Sequence, residues 1–289
     1  MMSRNLVVIG GGAGGASAAA EAKRNDPELN VTILQSGKFV AYASCPTPYY
    51  IGDIIKDENR LVARTPEEFR KRGVEVQLDT EAVNINCNAN VVETRDNLML
   101  PYDYLVIGTG TTPFVPDIPG RELRGVYSLK NLEDAIHIKT WLRERKAKRV
   151  VIIGGGFIGL EMSEALHAAG ISTTIIHKDP LPANRWDREL SSVMSEELQS
   201  HGVEFIGNAQ AKAIEKSSSD SLKVITDAGE WQGDMVLLAV GVRPNATLAN
   251  ATGLTIGKTG AITVNFAQQT SVENIYAVGD CCESWNRVS

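Results

Sequence analysis

Cysteine is scarce in this 289-residue chain, and its four copies are poorly spaced for pairing. Cys45 and Cys87 stand alone, Cys281 and Cys282 are neighbours, and there is no C-x-x-C. This excludes a disulfide framework, suits a reducing cytoplasm, and gives no reason to expect a metal site. Long apolar runs are also missing, and none approaches the roughly 20 residues that span a bilayer. The opening MMSRNLVVIGGG places one Arg before a short apolar run ending in glycines, which is not a signal peptide. Positive charge is not in excess. A net charge of -6 and a pI near 5.4 argue against nucleic acid or an anionic membrane as the main partner. What remains is 43% hydrophobic and 22% charged, a globular composition in a chain long enough for about two domains.

Two segments look like copies of one device. NLVVIGGGAGGASAAAEAKRN starts at Asn5 and RVVIIGGGFIGLEMSEALHAAG at Arg149. Each is a β-branched run, then glycines, then a stretch with helical spacing, and each leads into a further apolar run, VTILQ (31–35) or STTIIH (172–177). Between them lie a charged helix candidate, TPEEFRKRG (65–73), strand-like runs around VEVQL and NVVETR, and YDYLVIGTG (102–110). The proline-rich TTPFVPDIPG (111–120) reads as a linker. The second unit continues through a helix over 187–202, with Leu190, Met194 and Leu198 on one face. Then come VEFIG, a polar turn KSSSDS (216–221), LKVIT and DMVLLAVGVRPN (234–245). Residues 245–255 read as a second crossing, and SVENIYAVGDC (271–281) as a last buried strand.

Gly10, Gly12 and Gly15 form one G-x-G-x-x-G and Gly154, Gly156 and Gly159 another. In such a motif the first glycine makes the tight turn and the second admits a pyrophosphate. The third lets helix and strand pack, so that the helix start faces the phosphates. Two motifs, each in strand–turn–helix context, point to dinucleotide binding twice over. About 20 residues after the motif an acidic side chain normally meets the adenosine ribose. Here those positions hold Gln35 in the first unit and His177, followed by Lys178, in the second. A basic pair there favours NADPH over NADH, because no carboxylate repels a 2′-phosphate. The alternative is that both are merely a polar strand end.

With these segments the chain resembles the flavoprotein pyridine nucleotide–disulfide oxidoreductases. IGGGAGG (9–15), YDYLVIGTGTTP (102–113), IIGGGFIGLE (152–161) and SVENIYAVGDC (271–281) carry the match in the family's order. The resemblance implies an α/β architecture of two Rossmann-like, three-layer dinucleotide-binding domains, the second inserted in the first. Residues 1–115 and 246–289 would bind FAD, and 116–245 would bind NAD(P)H. It implies cofactor contacts at Ala13, Ser44, Ala82, Gly279, Phe157, Ile158 and Gly241. Thr109 and Gly110 match the turn where the chain leaves the flavin domain, and Asp280 matches the residue that bonds the ribityl chain. Glu161 is a candidate for the nicotinamide side, with a helix-surface glutamate as the alternative.

ASCPTPYYIG (43–52) is similar to the single-cysteine branch: coenzyme A-disulfide reductases, persulfide reductases, and NADH oxidases and peroxidases. Ala13 stands where the oxidases and peroxidases carry histidine, which favours the coenzyme A-disulfide type. The HKD run (177–179) is similar to that type too. Ala41, Ser44 and the Pro46-Thr47 pair depart from it. Members continue past GDC with a flavin-domain helix and a C-terminal dimerisation domain. The chain ends at Ser289, so a truncated form of a homodimeric enzyme is expected.

Cys45 can be a packing residue, half of a disulfide, or a reactive thiolate. Ser44 can cap a helix, with Pro46 and Pro48 in its first turn, which would put Cys45 at a helix start that favours thiolate. Taken with the family match, the expectation is a catalytic Cys45 that exchanges electrons with FAD and a small-molecule disulfide or persulfide, such as one of coenzyme A. Arg24, Lys71 and Arg72 are candidates for its phosphates, although charged helix faces explain such residues as well. Cys87, Cys281 and Cys282 read as structural. The alternatives are an NAD(P)H oxidase or peroxidase cycling a sulfenic acid, or a ferredoxin- or rubredoxin-type electron-transfer reductase with no reactive cysteine.

Overall fold

The computed structural model describes residues 4–217 and 221–284; half of the KSSSDS turn, 218–220, therefore lies outside the described residues. Seven α-helices are described: α1 (Ala13–Asn25), α2 (Thr47–Ile51), α3 (Pro66–Arg70), α4 (Leu132–Glu144), α5 (Phe157–Ala168), α6 (Arg188–Ser200) and α7 (Thr247–Ala251). The chain divides into two compact units. One comprises residues 1–43, 62–112 and 243–289; the other comprises 44–61 and 113–242. The cysteine segment 44–61 therefore groups with the second unit.

In the first unit five parallel strands form one sheet. Its order across the sheet is Ile275–Ala277, Tyr104–Ile107, Asn5–Ile9, Asn30–Leu34 and Val74–Gln77. Alternation along the central strand decides what each face meets. Leu6 and Val8 turn to a core with Ala16 and Ala19 of α1 and with Phe69 of α3. Val7 and Ile9 turn to Ile85, Val92 and Tyr102, which belong to or follow a three-stranded antiparallel meander over residues 82–101. Small alanines on α1 let that helix lie close to the sheet. The first turn of α3 is fixed by a capping box in which Thr65 and Glu68 bond each other's backbone N–H.

The second unit repeats this plan. Its parallel sheet runs Glu204–Ile206, Ser172–Ile176, Arg149–Ile153, Met235–Leu238 and Val126–Ser128. Val151 and Ile153 face a second antiparallel meander through Ile214, Leu222 and Val224, and α5 packs on the central strands. Both units are thus three-layered: meander, parallel sheet, helices. The α/β class and the Rossmann-type sheets hold.

One helix face differs from expectation. Leu198 is buried and Met194 half-buried as expected, but Leu190 is 55% exposed, and Ser191 is buried in its place. Ser191 Oγ donates to the Ala183 carbonyl at 3.3 Å, so in the first turn of the helix the preceding loop covers Ser191 and not Leu190.

Candidate active site

The two glycine turns have the same construction. Gly10 (φ +98°) and Gly154 (φ +117°) adopt backbone angles that suit glycine, and a Cβ on either would strike a carbonyl, that of Gly108 or of Ala239. Gly15 and Gly159 pack against the carbonyls of Gly10 and Gly154 in turn. Gly12 and Gly156 differ. Each is the N-cap of its long helix, has extended backbone, and has nothing within 4 Å of where a Cβ would lie. The fold needs the outer glycines for itself. It does not need the middle ones, whose open space beside a helix start suits a phosphate-bearing ligand. Ala13 opens α1; Phe157 opens α5 and Ile158 follows it.

The residues that end the second strands have one shared task. Gln35 Oε1 accepts the N–H of Gly11 at 2.8 Å, and His177 Nδ1 accepts the N–H of Gly155 at 3.1 Å. Each side chain closes its own glycine turn. For His177 this corrects the expected role as a cation for a 2′-phosphate. Its ring is buried, its Nδ1 is an acceptor, and burial lowers its pKa below the usual 6.5, with Lys178 adding to the effect and Asp179 opposing it. Nε2 therefore carries the ring hydrogen, 3.5 Å from the Asp179 carboxylate and without a hydrogen-bond partner. Lys178 is the exposed member of the pair, its side chain 71% accessible. The loop after it folds back on the turn: Ala183 N–H donates to Gly155 O at 2.8 Å, and Trp186 meets Phe157 with ring centroids 5.5 Å apart.

The strands that flank the two central strands on the side away from Gln35 and His177 also match. Beyond Tyr104–Ile107 lie Gly108, Thr109 and Gly110; beyond Met235–Leu238 lie Ala239, Val240 and Gly241. Gly110 and Gly241 both have positive φ and open surroundings. Thr109 Oγ1 donates to Asn245 O at 2.6 Å, which ties the outgoing strand to the returning one. In the first unit Val278 and Gly279 abut Gly14 of α1, so the exposed Asp280 lies near the first glycine motif. Ala82 opens the meander two residues after Thr80, whose N–H donates to Gln35 O at 2.9 Å.

Glu161 is exposed on α5; partial burial of its carboxyl, and then nearby Glu164, raise its pKa. Arg24 pairs with Glu21 of its own helix. Lys71 and Arg72 are exposed at the end of α3. The structure brings none of these three to a described ligand-type group.

Cys45 is the exposed one of the four cysteines. Its setting differs from a capped helix start. α2 begins at Thr47 with Pro46 as N-cap, and no side chain caps it. Ser44 contributes its carbonyl, not its hydroxyl, accepting from Thr47 N at 3.1 Å and Thr47 Oγ1 at 2.7 Å. The cause is Pro46, which disfavours helical backbone at the residue before it. Cys45 therefore sits in a tight turn ahead of the helix. The other thiols are packed away. Cys281 is fully buried against Ile107 O and Val278 O. Burial pushes Cys282 up to about 11 and raises Cys87.

A family model described as "Pyridine nucleotide-disulphide oxidoreductase" matches residues 4–289. The chain belongs to that family. Among pyridine nucleotide-disulphide oxidoreductases it is similar to the NAD(P)H sulfur oxidoreductase (CoA-dependent) of Pyrococcus abyssi. The two are 38% identical over 287 residues, 98% of this chain and 64% of that protein. An NADH oxidase of Methanocaldococcus jannaschii is 33% identical, with 96% and 63% covered. A solved NAD-dependent persulfide reductase from A. fulgidus superposes with TM-score 0.92 at 37% identity, covering 96% of this chain and 53% of that one. The chain thus spans less than two thirds of the length of the curated relatives it matches.

Proposed function

We propose that this chain carries the electron path from NAD(P)H through FAD to a small-molecule disulfide or persulfide of the coenzyme A type, with Cys45 meeting the sulfur substrate. The observation that carries this reading is the contrast among the thiols: Cys45 alone is exposed, in a chain with two dinucleotide-type glycine turns. Relatives named for CoA-dependent sulfur and persulfide reduction support it. Such thiol chemistry belongs in a reducing cytoplasm, and no described helix is long and apolar enough to cross a membrane.

The residues fit FAD in the first unit. The open space at Gly12 and the start of α1 suit its pyrophosphate, Gln35 and Ala82 would meet its adenosine, and Asp280 would meet its ribityl hydroxyls. Bound FAD would supply the relay that accepts a hydride from nicotinamide and delivers an electron pair to a disulfide. Gly156, Phe157 and the start of α5 would hold NAD(P)H, with Gly241 open beside them. Lys178 is the residue we assign to the 2′-phosphate, which favours NADPH, with NADH the competing nicotinamide. Cys45 thiolate would attack the substrate S–S bond, form a mixed disulfide and release one thiolate. An electron pair and a proton would then free the second thiol and regenerate Cys45.

The test is reconstitution with FAD followed by comparison of the parent with Cys45→Ser. The reading requires a flavin spectrum in both and disulfide reduction in the parent alone. A second reading, suggested by the NADH oxidase relative, has Cys45 cycling through sulfenic acid. It predicts peroxide-dependent NAD(P)H consumption that Cys45→Ser abolishes, with no turnover of coenzyme A disulfide.

A further inference from the structure

Six residues after α2 begins, Asp53 lies at φ +64° and faces two cations of α4. Lys139 Nζ is 3.0 Å from its carboxylate and Arg143 Nη2 is 2.6 Å away. Lys139 is only 3% exposed. It also donates to Ile55 O at 3.3 Å and stands 3.8 Å from the ring centroid of Tyr50. Tyr50 in turn donates its hydroxyl to Glu58 at 3.0 Å. Burying an ammonium costs several kcal/mol unless it is well paired, and an apolar residue would fill the same space more cheaply. Lys139 lies among Leu132, Ala135, Ile138 and Leu142, the apolar stripe of α4, where helix packing alone calls for another apolar side chain. What the lysine adds is direction. In the observed register Asp53, Ile55 O and the Tyr50 ring all reach Nζ.

A second contact fixes the same segment independently. Gly52 packs so tightly on α5 that a Cβ there would collide with the Ala165 carbonyl. The Cys45 turn runs straight into α2, with Thr47 bonded to Ser44 O and Tyr50 N bonded to Pro46 O. Cys45 is thereby joined through one continuous hydrogen-bonded piece to the pair of anchors.

We propose that Lys139, with Asp53, is a positioning residue for Cys45: the buried ammonium and its half-exposed carboxylate partner hold the 44–56 segment in the register that presents the thiol to an incoming disulfide. This rests on the proposed role of Cys45. Attack of a thiolate on a disulfide requires a near-linear S···S–S approach, so displacement of about 1 Å is enough to slow it about 100-fold.

The experiment uses the whole chain and a step that needs no turnover, the loading of Cys45 by coenzyme A disulfide. It is followed as the mass gain of the Cys45 peptide. Lys139→Met should load at least tenfold more slowly than the parent and Asp53→Asn likewise, while Lys139→Arg recovers to within about threefold. Backbone hydrogen exchange should quicken in 44–56 and stay unchanged around Gly10 and Gly154. A parent that loads, with Lys139→Met loading at the same rate, overturns the inference. So does a Lys139→Met chain whose exchange quickens everywhere and whose loading Lys139→Arg does not rescue, since that describes a stability residue only. A parent whose Cys45 never loads overturns the proposed function itself, an outcome distinguishable from the other two.

Discussion

His177 offers a sharp perturbation because Gln35 performs the same task with a group that does not titrate. His177→Ala leaves the buried Gly155 N–H without its acceptor, at a cost of about 1–3 kcal/mol. Expressed wholly as lost nucleotide affinity, that is about 5- to 150-fold. Protonation has a related effect, since it turns Nδ1 into a donor facing a donor. The fold lowers the His177 pKa below 6.5, with Asp179 and Lys178 the charged groups nearby. The folded state therefore binds the proton less readily than the unfolded chain does. This contribution is complete above about pH 6.5 and fades as pH falls towards the folded pKa. The assay is calorimetric titration with NADH at about pH 8 and then at successively lower pH, down through the folded-state titration of His177. NADH is preferred because a 2′-phosphate titrates near pH 6 itself. The parent should bind more weakly at the lower pH. His177→Gln should bind within about threefold of the parent at the higher pH and lose the dependence, because the amide acceptor already works at Gln35. Undiminished binding by His177→Ala, or an unchanged pH dependence in His177→Gln, would refute the reasoning.

Gly12→Ala and Gly156→Ala should each leave the melting temperature of the cofactor-free chain within a few degrees, since the backbone is extended and the Cβ space open. Gly12→Ala should weaken FAD binding more than tenfold and spare the nicotinamide, and Gly156→Ala should do the reverse; equilibrium titration with each cofactor checks this. By contrast, Gly15→Ala should unfold or strongly destabilise the chain in a thermal melt, because its Cβ meets the Gly10 carbonyl. Lys178→Glu should move kcat/KM from NADPH towards NADH by about fivefold or more, in a salt-dependent way. An unchanged ratio in low-salt kinetics would remove Lys178 from the phosphate contact.

The doubled architecture was legible because glycine is dictated sterically: Gly10 and Gly154 need positive φ, and Gly15 and Gly159 need a missing Cβ. Strand alternation and the run of alanines on α1 follow from the same local rules. The roles of Gln35 and His177 were less legible. Spacing puts both at a strand end, but does not reveal that the side chains curl back to the glycine turn. At Cys45 the pull of Pro46 against helix outweighed the capping capacity of Ser44, and the helix starts two residues later. Leu190 was misplaced because at the first turn of the helix a loop residue, Ala183, accepts a hydrogen bond from Ser191 and covers that position, while Leu198 stays buried as expected. Lys139 and Asp53 left no signal. A lysine in a helix reads as solvent-facing, and only the folded segment 44–61 covers it and gives it a partner.

The central claim is that Cys45 is the redox centre of a flavin-dependent path. An anaerobic titration with NADPH tests it most directly, on FAD-loaded chain whose Cys45 has been converted to the mixed disulfide with coenzyme A. The parent should take up one electron pair for the flavin and a second for the disulfide, releasing coenzyme A thiol. Cys45→Ser treated in the same way should take up the flavin pair alone. Equal uptake by the two proteins, with no thiol released from the parent, would contradict the account.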